Sequence, residues 1–153
     1  MQKGRSMVEM MGVLVIIAVV TVSILTVWSQ MRIKMRITQA QNEIFQIARD
    51  TASLYTWARD YEYLDIKDLC ENNVFPAGCG SDNNTPLNPF GGDYRVERVQ
   101  EGENGKYPRF ELLLTGLPSQ GVCDEILSYE FEGVVSATCP PDGDGSSVRL
   151  EFQ

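Results

Sequence analysis

Apolar residues are concentrated in one uninterrupted run near the start of the chain. Residues 7–28 contain a single charged side chain, Glu9, and residues 10–28 contain none. At about 1.5 Å of rise per residue, a helix of ~20 apolar residues spans the hydrocarbon core of a bilayer. Three hydroxyl side chains interrupt the run and can hydrogen-bond to carbonyls of their own helix; they are Thr21, Ser23 and Thr26. The pattern therefore predicts a membrane-spanning helix.

A cleavable secretory signal is the alternative interpretation of the same run. The apolar core of such a signal is about 7–15 residues long, which is shorter than the run found here. Val27 and Ser29 are nevertheless small enough to precede a cleavage site, so this alternative stays open. The length of the run favours a retained anchor.

After the apolar run, hydrophobic and small residues recur three and four positions apart, which is typical of one face of an α-helix. They are Ile37, Ala40, Ile44, Ile47, Thr51, Leu54, Ala58 and Tyr61. Residues 13–75 contain neither glycine nor proline, so no helix breaker separates this segment from the apolar run. The pattern predicts one long spine helix from about Ser6 to Tyr61, whose second half packs on a sheet of the same chain.

The rest of the chain predicts a small antiparallel sheet with short helices, so the fold class is α+β. Alternating apolar residues predict strands at 94–99, 110–115, 129–138 and 148–152. Short helices are predicted at 64–71 and at the end of 115–127. Glycine, proline and asparagine predict irregular loops at 75–92 and 139–147.

Charge and composition exclude several classes of function. The chain of 153 residues has 13 Lys and Arg against 21 Asp and Glu, a net charge of −8, and no histidine. The acidic balance disfavours nucleic acid as a partner, because few cations are available to replace phosphate counterions. A local basic cluster is offset by four glutamates; the cations are Arg95, Arg98, Lys106 and Arg109, and the glutamates are Glu97, Glu101, Glu103 and Glu111. Without histidine or a nucleophile–base pair, we expect no enzyme and no cofactor.

The orientation of the predicted anchor does not follow from charge alone. Cations lie on both sides of the apolar run, with Lys3 and Arg5 before it and Arg32, Lys34 and Arg36 after it. The positive-inside rule therefore does not favour sending the C-terminal part outward. All four cysteines lie in that part, and an even number suggests disulfides in an oxidising compartment. We therefore expect the C-terminal part to lie outside the cytoplasm.

Four cysteines permit three disulfide pairings. We favour Cys70–Cys79 and Cys123–Cys139, because both close short loops. Closing a loop of about 15 residues stabilises a fold by roughly 3 kcal/mol in the chain-entropy account. A zinc site is the alternative, but the sequence has no histidine and no C-x-x-C pair.

The N-terminal stretch KGRSMVEMMGVLVIIAVVTV resembles the prepilin signature of type IV pilins and type II secretion pseudopilins. In that family a short basic leader ends in glycine, cleavage follows the glycine, and a glutamate is the fifth residue of the mature chain. Lys3 and Gly4 match the leader, Arg5 stands at the first mature position, and Glu9 is the fifth. The chain departs from the family in having arginine rather than an apolar residue at that first position, and in lacking a proline late in the run.

The resemblance implies a pilin-like plan for the whole chain. Residues 1–4 are the leader, 5–28 the transmembrane half of the spine helix, 29–62 its amphipathic half, and 63–153 a disulfide-stapled head. Glu9 is implied to pair with the α-amine of Arg5 on a neighbouring subunit and so to set the register of assembly. A capping box from Ser6 to Glu9 is a second role for the same carboxylate, and the two roles are compatible. The bond Cys123–Cys139 is similar to the staple of pilin C-terminal loops.

The resemblance also implies a function and a location. The chain would be a structural subunit, cleaved after Gly4 by a prepilin peptidase, N-methylated at Arg5 and polymerised through its N-terminal helix. Its precursor would lie in the bacterial inner membrane with the head in the periplasm, and the product would be a pilus filament at the cell surface. The implied partners are copies of itself, minor pilins and an inner-membrane assembly platform. A pseudopilin in a periplasmic fibre and a non-polymerising, membrane-anchored binding module are the alternatives.

One loop has oxygen ligands that a calcium ion could use. Asp142 and Asp144 lie in the segment DGDGS, and some pseudopilins use C-terminal loops in this way. No twelve-residue loop with a closing glutamate follows, so a solvated turn is the favoured interpretation.

Overall fold

The computed structural model describes residues 7–56, 60–80, 85–101, 105–142 and 145–153. The chain divides into two compact units, Met1–Met35 and Arg36–Gln153. The helices are α1 (Met7–Tyr55), α2 (Ile66–Glu71) and α3 (Gln120–Leu127). The strands are β1 (Tyr94–Glu101), β2 (Lys106–Leu117), β3 (Val134–Thr138), β4 (Pro141–Asp142) and β5 (Gly145–Phe152). The predicted α+β class, with a long N-terminal helix and an antiparallel sheet, is confirmed.

The hydrophobic core of the second unit lies between α1 and one face of the sheet. The predicted helical stripe is buried at Ile37, Ala40, Ile44, Ile47 and Thr51. Alternate residues of the strands bury against it, among them Tyr94, Val96, Phe110, Leu112, Leu114, Val148 and Leu150. The buried side chains recur about every 3.6 residues in the helix and every second residue in the strands, and the two sets pack into one core.

The C-terminal end of α1 was predicted six residues too late. The helix ends at Tyr55, not at Tyr61. Beyond it, the backbone N–H of Tyr61 donates to the carbonyl of Tyr107 at 2.8 Å, and the Asp60 carboxylate accepts the Tyr107 N–H at 2.9 Å. Because these groups bond to β2, they are not available to a helix. Leu54 of the predicted stripe is exposed, and Ala58 lies outside the described residues.

The sheet has the strand order β1-β2-β5-β3, with all neighbours antiparallel, and the two-residue β4 pairs with β5. Its register aligns Val96 of β1, Leu112 of β2 and Leu150 of β5 in one row on the core side. The last strand of the chain is therefore interior to the sheet, where both of its edges are hydrogen-bonded.

Four other predicted boundaries differ from the structure. The third strand begins at Val134 rather than at 129, because Glu132 and Gly133 form a turn in which Gly133 has φ 83°. The interpretation of 139–147 as a loop was wrong, since β4 and the start of β5 form a hairpin there. Helix α2 begins at Ile66 because the carboxylate of Asp65 caps it, accepting the N–H of Lys67 at 3.0 Å. Strand β2 extends beyond the predicted 110–115 at both ends.

Candidate assembly site

The N-terminal part of α1 exposes apolar side chains on every side. Within the first unit the described residues from Met7 onward include no buried position, and the helix is long and apolar enough to cross a membrane. The exposed side chains include Val8, Met11, Leu14, Ile17, Val20, Ile24 and Trp28. A helix that is apolar all round needs lipid or other apolar helices against it. This segment is therefore the strongest candidate for a contact with something outside the chain.

Two hydroxyl side chains in this segment are hydrogen-bonded within the helix itself. Thr21 donates to the carbonyl of Ile17, and Ser23 donates to the carbonyl of Val19, each at 2.8 Å. These are the predicted bonds to the preceding turn; the Thr26 side chain lies outside the description. The hydroxyl groups of Thr21 and Ser23 therefore place no unpaired donor in an apolar surrounding.

Glu9 is the one charge in this apolar surface. It lies in the first turn of α1, is exposed, and is the sole charged residue of the sequence from 7 to 31. Gly4, Arg5 and Ser6, which the cleavage, pairing and capping predictions involve, lie outside the described residues. Among the residues described from Met7 onward, the helix neighbours of this carboxylate are apolar, and a carboxylate in such a place favours an opposite charge.

A second carboxylate of α1 is buried, and the sequence analysis predicted no role for it. Glu43 is 6% exposed. Its Oε2 accepts the phenol of Tyr94 at 2.8 Å, and its Oε1 accepts the side-chain amide of Gln39 at 2.8 Å. Burial above all, and then the charge of Glu43 and the hydrogen bond to it, raise the pKa of Tyr94 above its ordinary value. The pair joins the spine helix to the first strand.

A sequence signal for Glu43 existed in the helical period. The residue stands three positions after Ala40 and four before Ile47, so it lies next to the buried stripe rather than opposite it. A glutamate at such a position is expected to have a polar partner on the sheet, although periodicity does not say which one.

Two disulfides staple the second unit. The structure joins Cys70 to Cys79 and Cys123 to Cys139, with Cα–Cα distances of 5.8 and 6.1 Å. These are the two pairs that the sequence analysis favoured. The first ties α2 to the following loop, and the second ties α3 to the residue after β3. With all four sulfurs paired, the zinc alternative has no thiolate ligands left, and the described residues contain no group of three side chains suited to a metal.

The open face of the sheet has a row of three carboxylates. Glu97 of β1 lies opposite Glu111 of β2, which lies opposite Glu151 of β5. Two arginines neutralise part of this row: Arg149 is 3.1 Å from Glu111, and Arg109 is 3.1 Å from Glu151. Burial is the main cause of the raised pKa of Glu111; Glu97 and Glu151 raise it further, and Arg149 opposes them.

Two of the four cations in the basic cluster, Arg98 and Arg109, make contacts within the second unit. Besides the ion pair of Arg109, Arg98 donates to the carbonyl of Glu62, and its guanidinium lies 4.8 Å from the centre of the Tyr107 ring. These contacts, with the neighbouring glutamates, leave a mixed-charge face.

The calcium interpretation of the last loop stays a prediction. Asp142 ends β4, where its backbone pairs with that of Gly145, but its side chain and the whole of Asp144 lie outside the description.

An apolar recess of about 210 Å³ lies beside α1 in the second unit. Its lining includes Phe45, Phe110, Phe131 and Phe152, together with Ala48 and Ala52. The rings of Phe110 and Phe152 stack with 5.2 Å between their centres. The recess has the size and chemistry to take an apolar side chain.

A helix that exposes apolar side chains in its first half and packs on an antiparallel sheet in its second half is a pilin-like architecture. The family model described as PilS N terminal matches residues 34–142, which is more than half of the chain. The chain therefore belongs to this pilin-related family. The match begins after the apolar run, so it is independent of the prepilin-like residues at the N-terminus. No curated protein and no solved structure matches the chain.

Proposed function

We propose that this chain is the structural subunit of a type IV pilus-like filament and that it polymerises through the N-terminal half of α1. The observation that carries the proposal is the fully exposed apolar surface of that helix in a chain of a pilin-related family. Lipid covers this surface while the subunit is a membrane precursor, and copies of the same helix cover it in the filament. The repeated contact is heterologous and open, which gives a fibre rather than a closed ring.

Proteolytic cleavage at the N-terminus supplies the positive charge for the contact between subunits. A prepilin peptidase cleaves after Gly4, and the new α-amine of Arg5, whether methylated or not, pairs with Glu9 of a neighbouring copy. An unpaired carboxylate within an apolar helix costs roughly 2.5–3.5 kcal/mol at the centre of a bilayer and less towards its edge. An opposite charge supplied by assembly removes that cost. Pairing therefore sets the axial register of neighbouring subunits.

The two disulfides support a location outside the cytoplasm for the second unit. We place the precursor in the bacterial inner membrane with this unit in the periplasm, and the filament at the cell surface. The partners are further copies, minor pilins and an inner-membrane assembly platform. A pseudopilin that forms a periplasmic fibre and a non-polymerising anchor for a binding module are the competing functions.

Competition between subunits tests the role of Glu9. Wild-type and Glu9→Ala chains with distinguishable tags are produced together in a host with a prepilin peptidase and an assembly machine. Each chain is then quantified in membranes and in sheared filaments. Because about 1.4 kcal/mol corresponds to tenfold, loss of the ion pair should reduce the variant to less than about a tenth of the filament. Its amount in membranes should stay unchanged.

Glu130→Ala is the matched control, because it removes an exposed glutamate far along the sequence in the second unit. It should enter filaments as the wild type does. Equal incorporation of Glu9→Ala would contradict the register role. Wild-type chains that remain in membranes and never enter a fibre would support the non-polymerising anchor instead.

A further inference from the structure

Strand β1 lies at an edge of the sheet, with β2 on its inner side. In an antiparallel pair, the backbone groups of successive residues alternate between facing the neighbouring strand and facing away from it. The N–H of Tyr94 donates to the carbonyl of Pro86 at 2.8 Å, so the backbone of Tyr94 faces away from β2. Val96 and Arg98 follow at intervals of two, and their N–H and C=O groups therefore also face the outer edge.

This outer edge is covered at the start of β1 and open farther along. The bond to Pro86 and the bridge between Leu87 and Asp93 cover the start. Within the described ranges, no backbone hydrogen bond reaches Val96 or Arg98 from the outer side. Unpaired backbone groups on an edge strand are a template for pairing with another extended chain.

A groove of about 730 Å³ lies beside the open part of this edge. Residues 95–98 of β1 line one side of it, and residues 62–66, which lead into α2, line the other. Four residues of a strand are about 13 Å long. The partly buried side chains of Leu64 and Ile66 add an apolar contact. The groove therefore suits a short extended segment whose backbone pairs with β1.

The charge of the groove indicates which segment it favours. Its lining includes three exposed acidic residues, Glu62, Asp65 and Glu97, and two arginines, Arg95 and Arg98. The guanidinium group of Arg98 is engaged within the unit, since it donates to the carbonyl of Glu62. The sequence from residue 43 onward has eight cations and twenty carboxylates. Charge complementarity therefore favours a cationic segment.

An aromatic ring in the same groove supports this choice. Tyr63 is 75% exposed and stands between the acidic residues Glu62 and Asp65 in the lining. The face of an aromatic ring attracts the cation of lysine or arginine. The aliphatic stems of these side chains pack on apolar surface while their charges stay in water.

We propose that the groove between β1 and residues 62–66 binds an extended segment of another protein, rich in lysine or arginine, by strand addition. The backbone of the segment pairs with Val96 and Arg98, and its cationic side chains lie against Glu62 and Glu97. Main-chain hydrogen bonds supply affinity and the side chains supply selectivity. The site lies within the second unit and does not depend on the proposed polymerisation.

Binding of three labelled heptapeptides to the full chain in detergent micelles tests the proposal by fluorescence anisotropy. The first peptide alternates lysine with valine, and the second has glutamate in place of each lysine. The third is the lysine peptide with its central backbone amides N-methylated. The glutamate peptide should bind at least about tenfold more weakly than the lysine peptide. The N-methylated peptide should bind at least about fivefold more weakly, because it lacks the main-chain donors.

Two substitutions at one position locate the site. Arg98→Pro removes an N–H that faces away from β2, and proline is tolerated on an edge strand in that orientation. Arg98→Ala keeps the N–H and is the matched control. The proline variant should bind the lysine peptide at least about fivefold more weakly than the alanine variant.

A second variant leaves the backbone of β1 unchanged. Glu62→Gln/Glu97→Gln should reduce the affinity for the lysine peptide by about threefold and should make it less dependent on salt. Glu130→Gln is the control, because Glu130 is exposed and does not line the groove. It should leave the affinity unchanged.

Equal affinity for the N-methylated and unmodified lysine peptides would overturn strand addition. Equal affinity for the glutamate peptide would overturn the cationic partner, and failure of the wild type to bind the lysine peptide would overturn the site. Self-association that Arg98→Pro abolishes and Arg98→Ala preserves would identify a second copy as the occupant of this edge, and the proposal of a segment from another protein would then be wrong.

Discussion

The phenol of Tyr94 on β1 donates a hydrogen bond to Oε2 of Glu43 on α1, with 2.8 Å between the two oxygens and 51 positions between the two residues. Both side chains are buried. Because Gln39 donates to the other carboxylate oxygen, each oxygen of Glu43 has a neutral donor. This bond joins the second half of the spine helix to the first strand of the sheet and so contributes to the stability of the unit.

Removing the phenol should destabilise the second unit. Tyr94→Phe leaves a buried carboxylate oxygen without its donor, which costs about 1–3 kcal/mol of unfolding free energy. Denaturant unfolding of the full chain in detergent micelles measures the change. Tyr129→Phe is the control, because that ring is half exposed, and it should change the stability by less than about 0.5 kcal/mol. Equal effects of the two variants would contradict the account.

The same residue predicts a loss of stability at alkaline pH. The pKa of Tyr94 is raised above its ordinary value of 10.0, mainly by burial. The folded state therefore keeps a proton that the unfolded state releases. The stability that this proton contributes to the folded state is complete below pH 10. It declines as the pH rises above 10, by about 1.4 kcal/mol per pH unit for one group. Tyr94→Phe should be less sensitive to pH in this range than the wild type, and an unchanged slope would exclude Tyr94 as its source.

The carboxylate row on the open face predicts a stabilising substitution. Glu97 lies opposite Glu111, and its charge contributes to the raised pKa of that residue. Glu97→Gln removes the repulsion between directly opposed like charges and should stabilise the unit by about 0.2–1 kcal/mol at neutral pH.

The gain from Glu97→Gln should shrink in acid. A carboxyl group with a raised pKa contributes a stability that is complete below its unfolded pKa and is lost as the pH rises through the folded value. Repulsion by Glu97 therefore matters most at neutral pH. Thermal unfolding of the two proteins at pH 7 and at about pH 4 measures the difference. Glu130→Gln, at an exposed position between α3 and β3, should show no comparable gain. A gain of equal size in both variants would refute the local explanation.

The two disulfides should contribute unequally. Cys123–Cys139 closes 16 positions and Cys70–Cys79 closes 9. Replacing both cysteines of the longer loop by serine should cost about 3 kcal/mol, and slightly less for the shorter loop. Cys123 is also fully buried, with the carbonyl oxygen of Ser147 3.3 Å from its sulfur, so a serine there places a polar hydroxyl group in the core. The two double-serine variants are compared by denaturant unfolding. A larger loss of stability on opening the shorter loop would contradict the predicted order.

The elements that depend on local pattern could be predicted from the sequence. The stripe from Ile37 to Ile47 and the alternation in β1 and β2 place the core on the correct faces, because side-chain periodicity follows directly from backbone geometry. The end of α1 could not be predicted in this way. Tyr61 still packs on the core, with its ring centre 5.0 Å from that of Phe110, so the apolar pattern continues after the helix has ended.

Contacts between segments that are distant in the sequence could not be predicted. The alternation at 148–152 predicts a strand, but a period of two gives its buried face and not its neighbours, so its place between β2 and β3 was not foreseen. The hydrogen bond between Glu43 and Tyr94 was not predicted either, because periodicity does not identify the partner of a buried side chain. The candidate assembly surface was foreseen, because an apolar helix with one glutamate is a property of consecutive residues.

The most direct test of the central claim is the N-terminus of the protein in its native host. Intact-mass and peptide mass spectrometry are applied to the chain from membranes and from sheared surface material. The account predicts that the surface form begins at Arg5, with or without a methyl group, and that any precursor retaining Met1 to Gly4 is confined to membranes. A chain that keeps Met1 to Gly4 in every fraction, from cells with an active prepilin peptidase, would contradict assembly into a pilus-like filament.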